Sequence, residues 1–176
     1  VHTKRNLELV ETLRLKQRNY SLLWLLDKTK TAMGARLLRS YVEQPLIEKK
    51  EILKRQELIT ELNKQEITRE ELREYLNPIY DLERLITRIA YQTANPRDLI
   101  AFRNSLEMLP AIKMLLGDLS GELATEIRDE LDDLSDIYAY YGGKDTHDIT
   151  KYIPNFDSNL TDMFELQFGK IVYVGN

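Results

Sequence analysis

Cysteine is absent from this chain, which removes disulfides and thiolate metal sites. Histidine is nearly absent. The two present, His2 and His147, are far apart in sequence. Asp145, His147 and Asp148 form the nearest approach to a metal-donor cluster, and a solvated turn is the simpler reading of three such residues in a polar loop. Glycine is sparse too, and the shortage decides the nucleotide question. A phosphate loop of the G-x-x-x-x-G-K-[ST] type needs two glycines so that backbone N–H groups can cradle phosphate, and a hydroxyl to hold magnesium. The Lys/Thr-rich stretch "DKTKTAMGAR" has a single glycine, Gly34, followed by Ala35 and Arg36. "GGKD" at 142–145 lacks both the first glycine and the hydroxyl. No uninterrupted apolar run approaches the roughly 20 residues of a membrane span, and no signal peptide is visible at the start. The expected setting is the cytoplasm, without a membrane partner.

What is present is charge and helical periodicity. The 176 residues are 31% charged and 43% hydrophobic, the balance of a soluble helical domain. A net charge of -4 conceals an asymmetry. Residues 1–60 carry 13 Lys/Arg against 7 Asp/Glu, and residues 118–165 carry 3 against 13. The basic half suits phosphates through counterion release; solvated helix faces of opposite sign are the plainer reading. Carboxylate pairs such as Glu70–Glu71 and Asp132–Asp133 fall on polar faces, and no pattern sets them in an apolar pocket where their acidities would separate.

Along the chain, "NLELV" at 6–10 alternates and predicts a short extended segment. Ser21 predicts an N-cap for "LLWLLD", with Trp24 packed in a core. Thr29 or Thr31 predicts the cap of a helix over 32–43, with Met33, Leu37, Leu38, Tyr41 and Val42 on one stripe and Pro45 ending it. A further helix is expected over 47–63. Thr68 to Glu71 fits a capping box opening a short helix. Ile79, Leu82, Leu85, Ile86 and Ile89 share a face. Asn95, Pro96 and Asp98 occupy N-cap, N1 and N3 of the next helix, which carries Leu99, Phe102, Leu106 and Leu109 inward and is kinked at Pro110. Leu119, Leu123, Ile127, Leu131 and Leu134 predict one long acidic helix. Tyr138, Tyr140 and Tyr141 are expected to seal its junction with the tail; base stacking is the other reading of these tyrosines and of Trp24. After Gly142–Gly143 the chain turns irregular, with strand-like residues at 171–174. The expected class is mainly α, a multi-helical orthogonal bundle over 1–141 with a short extended N-terminal segment, followed by a turn- and strand-like tail over 142–176.

In order along the chain stand "TKRNLEL" at 3–9 with Asn6, then "SLL" at 21–23, Leu26-Asp27, Thr29, Thr31, Met33-Gly34, "RLLR" at 36–39, "QPL" at 44–46, "YDLERLITRI" at 80–89 and "ANPRDL" at 94–99. As an ordered set these resemble the core (lever) domain, domain III, of MutS-type DNA mismatch-repair proteins. The resemblance covers residues 3–116, about two-thirds of the chain. It implies a helical scaffold that joins an ATPase to lever helices carrying a DNA clamp, in a dimeric protein that binds mismatched duplex DNA and uses ATP and magnesium. It implies no catalytic residue and no cofactor in this chain. Neither the aromatic-x-Glu mismatch wedge nor the phosphate loop is recognisable. Asn6, Asp27, Thr29, Thr31, Met33, Gly34, Pro45, Asn95 and Pro96 then read as structural motif residues. Lys28, Lys30, Arg36 and Arg39 read either as domain-coupling residues or as contacts to DNA phosphates. The function implied is a non-catalytic core coupling ATPase state to DNA clamping. The alternative is a stand-alone helical interaction module without DNA activity. The chain opens on Val rather than Met, as an excised fragment would.

Overall fold

A computed structural model describes residues 2–141. Among them run ten helices: α1 His2–Asn6, α2 Leu22–Leu26, α3 Ala32–Glu43, α4 Lys49–Lys64, α5 Glu66–Leu76, α6 Leu82–Ala90, α7 Pro96–Leu106, α8 Leu109–Leu116, α9 Glu122–Glu130 and α10 Ser135–Tyr141. No strand occurs among the described residues. The mainly α class expected from the pattern is thus what the described residues adopt.

Local chemistry sets many of the boundaries. Ser21 Oγ accepts from Trp24 N at 3.2 Å and starts α2. Thr31 Oγ1 accepts from Gly34 N at 3.0 Å and starts α3. Asn95 and Asp98 form the reciprocal capping box, at 3.0 and 2.8 Å, with Pro96 at the first helical position. Each cap satisfies N–H groups that a helix start otherwise leaves orphaned.

The core is a single cluster built from α5 to α10. Phe102, Leu106 and Leu134 lie at its centre, ringed by Leu82, Leu85, Ile89, Leu99, Leu116 and Leu119. Helices α3 and α4 bury no residue completely; Met33, Leu58 and Leu62 pack against the cluster from outside. One polar group is fully enclosed. Ser105 Oγ donates to Ala101 O at 2.8 Å and accepts from Tyr80 N at 3.0 Å, so the turn before α6 is pinned to α7.

Several expectations change. Residues 6–10 are not extended: α1 ends at Asn6 and Glu8 turns the chain at φ 49. Only two backbone bonds, Leu22 N to Glu8 O and Leu23 N to Leu9 O, tie this stretch to α2. Thr68 caps nothing; the cap position of α5 lies three residues earlier at a junction, Gln65, that also closes α4. Pro110 does not kink a helix but sits at the start of α8, where its missing N–H costs little. The long acidic helix is two. Asp132 Oδ1 accepts from Leu134 N at 2.9 Å and Asp133 Oδ1 from Ser135 N at 3.3 Å, side-chain bonds that compete with helix continuation. Leu134 takes φ 49 there yet stays buried with Leu131 and Ile137. Trp24 lies at the surface, and the buried residue of α2 is Leu23. Of the tyrosines, Tyr138 is half-buried against the core and Tyr140 is exposed. The tail over 142–176, with Asp145, His147 and Asp148, lies outside the described residues.

Replacing Ser105 by Ala leaves the Tyr80 N–H without its acceptor inside the core. The expected loss is ~1–3 kcal/mol of unfolding free energy, read from the urea midpoint at unchanged slope. Phe102→Ala is expected to cost ~3–5 kcal/mol in the same measurement.

Candidate functional site

Of the motif residues in the N-terminal third, Asp27, Thr29, Thr31 and Gly34 gather at the turn between α2 and α3, and Arg36 joins α3 to α6. Asp27 closes α2, its N–H bonded to Leu23 O. Its Oδ1 accepts from Thr29 N at 3.1 Å and Thr29 Oγ1 at 2.6 Å, while Oδ2 pairs with Arg18. These bonds, the Thr29 hydroxyl foremost, hold the Asp27 carboxyl below its ordinary acidity value. Thr31 then caps α3. A Cβ at Gly34 would stand 3.0 Å from Thr31 Oγ1, tighter than most real contacts, and at an ordinary 3.6 Å from Thr29 Cβ. Gly34 therefore lets the cap and the Thr29 turn close on the helix.

One turn further along α3, Arg36 reaches α6. Its Nη1 donates to Asp81 Oδ2 at 2.7 Å and its Nη2 to Asp81 Oδ1 at 2.8 Å, a two-pronged pair. Nη2 also bonds Glu83. Asp81 is the N-cap of α6 and accepts from Arg84 N at 3.4 Å. A single carboxylate thus starts one helix and anchors another. The Asp81 side chain is 17% exposed against 40% for Arg36. The bond from Arg36 is the main reason that the Asp81 carboxyl is held below its usual value and the guanidinium above its own.

The basic residues do not form one cluster. Arg39 is exposed and turned along its own helix, with Nε 3.0 Å from Glu43 Oε1. Lys28 and Lys30 are exposed on the α2–α3 turn and make no ion pair or hydrogen bond among the described residues. Asn6 ends α1 at the surface, and Pro45 follows α3, exposed. Asn95 and Pro96 start α7, remote in sequence, and Asp98 there pairs with Arg88 at 3.0 Å.

Two further anchors between helices escaped the sequence reading. Glu61 of α4 receives the start of α9: Oε1 accepts from Ser120 N at 2.6 Å and Ser120 Oγ at 2.8 Å, and Oε2 from Gly121 N at 3.0 Å. The Ser120 N–H is the chief cause of its lowered acidity value. Lys54 of α4 reaches Glu126 at 2.6 Å and Glu122 at 2.9 Å on α9, which raises the Lys54 pKa. The i, i+4 spacing of Glu122 and Glu126 is the one signal in the sequence that a cation would meet them from outside. Beside these contacts Leu37, Tyr41, Leu58, Ile59, Leu123 and Ile127 line an open groove of about 560 Å³, with the Arg55 guanidinium 3.7 Å from the Tyr41 ring centre.

No group of three or more potential metal ligands occurs among the described residues. No described helix is long and apolar enough to cross a membrane. The arrangement offers capped turns and charged ties between helices, an architecture for holding helices in fixed relation.

The family description "MutS domain III" matches residues 2–160. Among curated proteins, the DNA mismatch repair protein MutS of Lachnoclostridium phytofermentans is 63% identical over 135 residues, covering 77% of this chain and 14% of that protein. The MutS of Bacillus subtilis is 47% identical over 137 residues, covering 78% and 16%. That of Staphylococcus aureus (strain MRSA252) is 44% identical over 138 residues, covering 77% and 16%. The chain thus spans about one-seventh of the length of these relatives. The match runs past residue 116, where the recognisable motif ends, and past Tyr141.

Three outcomes are expected from these ties. Arg36→Ala lowers stability by about 1–2 kcal/mol, a charged hydrogen bond discounted for solvent exposure; thermal unfolding followed by circular dichroism measures it. Gly34→Ala lowers the melting temperature by crowding Thr31. Glu61 and Asp81 both have folded values below their unfolded ones. Their contributions are therefore complete above the ordinary carboxylate range and are lost as pH falls through the folded values. Glu61→Gln flattens that acid limb of the stability curve, and an unchanged limb would contradict the capping role.

Proposed function

The chain belongs to the MutS domain III family, and on that premise we propose that it is a non-catalytic helical scaffold of a bacterial mismatch-repair protein. In this reading its helices pass nucleotide-driven motion between an ATPase and the part that grips duplex DNA. ATP and magnesium serve other domains of the parent protein, which acts on DNA in the cytoplasm, as a dimer. The observation that carries the reading is the Arg36–Asp81–Glu83 tie. It fastens α3, the helix richest in family motif residues, to the cap of α6 by a two-pronged charged contact. Coupling between distant sites needs packed elements with discrete arrangements, and a helix fixed at its neighbour's N-cap is such an element. Arg36 and Arg39 are engaged by the domain's own carboxylates, which favours domain coupling over phosphate contact for these two residues. A second reading, an interaction module without DNA activity, draws on the exposed apolar face of α2.

The test uses a full-length MutS protein carrying this domain. With Arg36→Ala, ATP-driven release from a mismatched duplex is expected to change by roughly 2–30-fold, the range for a coupling residue that touches neither ligand. Basal ATP hydrolysis stays unchanged and Arg36→Lys falls between. Wild-type release by Arg36→Ala, at wild-type hydrolysis, would sink the proposal. The isolated chain is expected to release no phosphate from ATP; sustained release would overturn the non-catalytic assignment.

A further inference from the structure

The contacts among the described residues leave the outer face of α2 uncovered. Only Leu23 of this helix is buried. Trp24, Leu25 and Leu26 are 44%, 63% and 48% exposed, and Tyr20, just before the cap, is 79% exposed. The rings of Tyr20 and Trp24 lie 5.3 Å apart at 47°, a tilted pair. Contiguous apolar surface of this kind marks an interaction site.

The face is held in shape from behind. Ser21 is buried, its hydroxyl donating to Arg18 O at 2.6 Å while it caps α2. Leu22 N and Leu23 N donate to Glu8 O and Leu9 O at 3.1 and 2.8 Å. Tyr20 sits at φ 70, a conformation that side chains rarely adopt. A preformed aromatic platform loses little freedom when a partner arrives.

Charge says what kind of partner. Lys28 and Lys30 follow the helix directly, both exposed and both without an ion pair among the described residues. The neighbouring carboxylate, Asp27, is taken by Arg18 and Thr29, so no described carboxylate pairs with the two lysines. A hollow of about 310 Å³ joins Trp24 and Leu25 to Lys28. The face therefore combines an apolar centre with a cationic rim, the anatomy of a protein interface. A nucleic-acid strand fits it less well. Leucines are three of the five exposed apolar residues Tyr20, Leu22, Trp24, Leu25 and Leu26 and offer no ring for base stacking, and two ammonium groups fall short of a backbone-tracking groove.

We propose that this face docks an acidic amphipathic segment of a partner protein, with its apolar stripe over Trp24 and Leu25 and its carboxylates against Lys28 and Lys30. Trp24 is the sole tryptophan of the chain, so its fluorescence reports on this face alone. The probe is a synthetic helical peptide of about 16 residues with leucines at i, i+3, i+4 and i+7 and glutamates flanking them. Titration is expected to move Trp24 emission to shorter wavelength and to saturate. The double variant Lys28→Glu/Lys30→Glu, whose side chains are solvent-exposed, is expected to keep the wild-type melting temperature and to bind roughly tenfold more weakly, as for rim charges facing opposite charge. Leu25→Ser, also at an exposed position, weakens binding with Trp24 retained. No emission change up to millimolar peptide overturns the proposal. So does equal binding of the peptide with lysines in place of its glutamates. A larger shift at lower concentration with an oligothymidine strand overturns it in favour of single-stranded nucleic acid.

Discussion

Helices of 5 to 16 residues are marginal in water by themselves, because nucleating a turn fixes several residues for one hydrogen bond. Every element of this domain therefore depends on burial against its neighbours, and above all on the cluster around Phe102, Leu106 and Leu134. Ser105 belongs to that constraint. Fully enclosed, it satisfies both its donor and its acceptor capacity within the protein and sets the turn before α6 against α7. That turn leads directly into Asp81, the residue that both caps α6 and receives Arg36. The position of the α3 tie thus follows from the core.

Outside the cluster, charge takes over from apolar packing. Helices α3 and α4 bury nothing fully, and they are fastened by Arg36 to Asp81 and Glu83, by Lys54 to Glu122 and Glu126, and by Glu61 to the N–H groups of Ser120 and Gly121. The charge asymmetry of the sequence is in part consumed inside the molecule, since Lys54 from the basic half meets carboxylates of the acidic half. Exposed pairs contribute little stability individually. Their geometry nevertheless fixes where the outer helices sit, which is what the proposed transmission of motion requires. Lys28 and Lys30 stand apart because no described carboxylate claims them, and they border α2, which leaves Trp24, Leu25 and Leu26 exposed.

Much of this was legible in advance. Ser21, the choice of Thr29 or Thr31, and the Asn95–Asp98 pair point to helix starts because capping is local chemistry, settled within four residues; the structure selects Thr31. The inward face of α6 and α7 was legible because apolar spacing maps onto a helix directly. The failures share a cause. Thr68 to Glu71 satisfied a capping pattern, yet the chain had already entered α5 at Glu66 from the Gln65 junction. The run Leu119 to Leu134 kept helical spacing across a break, because Leu131 and Leu134 stay buried while Asp132 and Asp133 turn the backbone between them. Trp24 looked like core by composition, but which side of a short apolar helix faces inward depends on what packs there.

The sequence by itself determined the helical class, the caps, the absence of a phosphate loop and the family resemblance, all of which rest on residue identities at short spacing. Only the tertiary structure decided that Arg36 is spent on Asp81, 45 residues away, that Glu61 receives the start of α9, and that α2 presents Trp24 rather than burying it. Those are facts about which surfaces meet. No local spacing encodes them, because partners brought together by the core are distant in the chain and chosen by the whole packing at once.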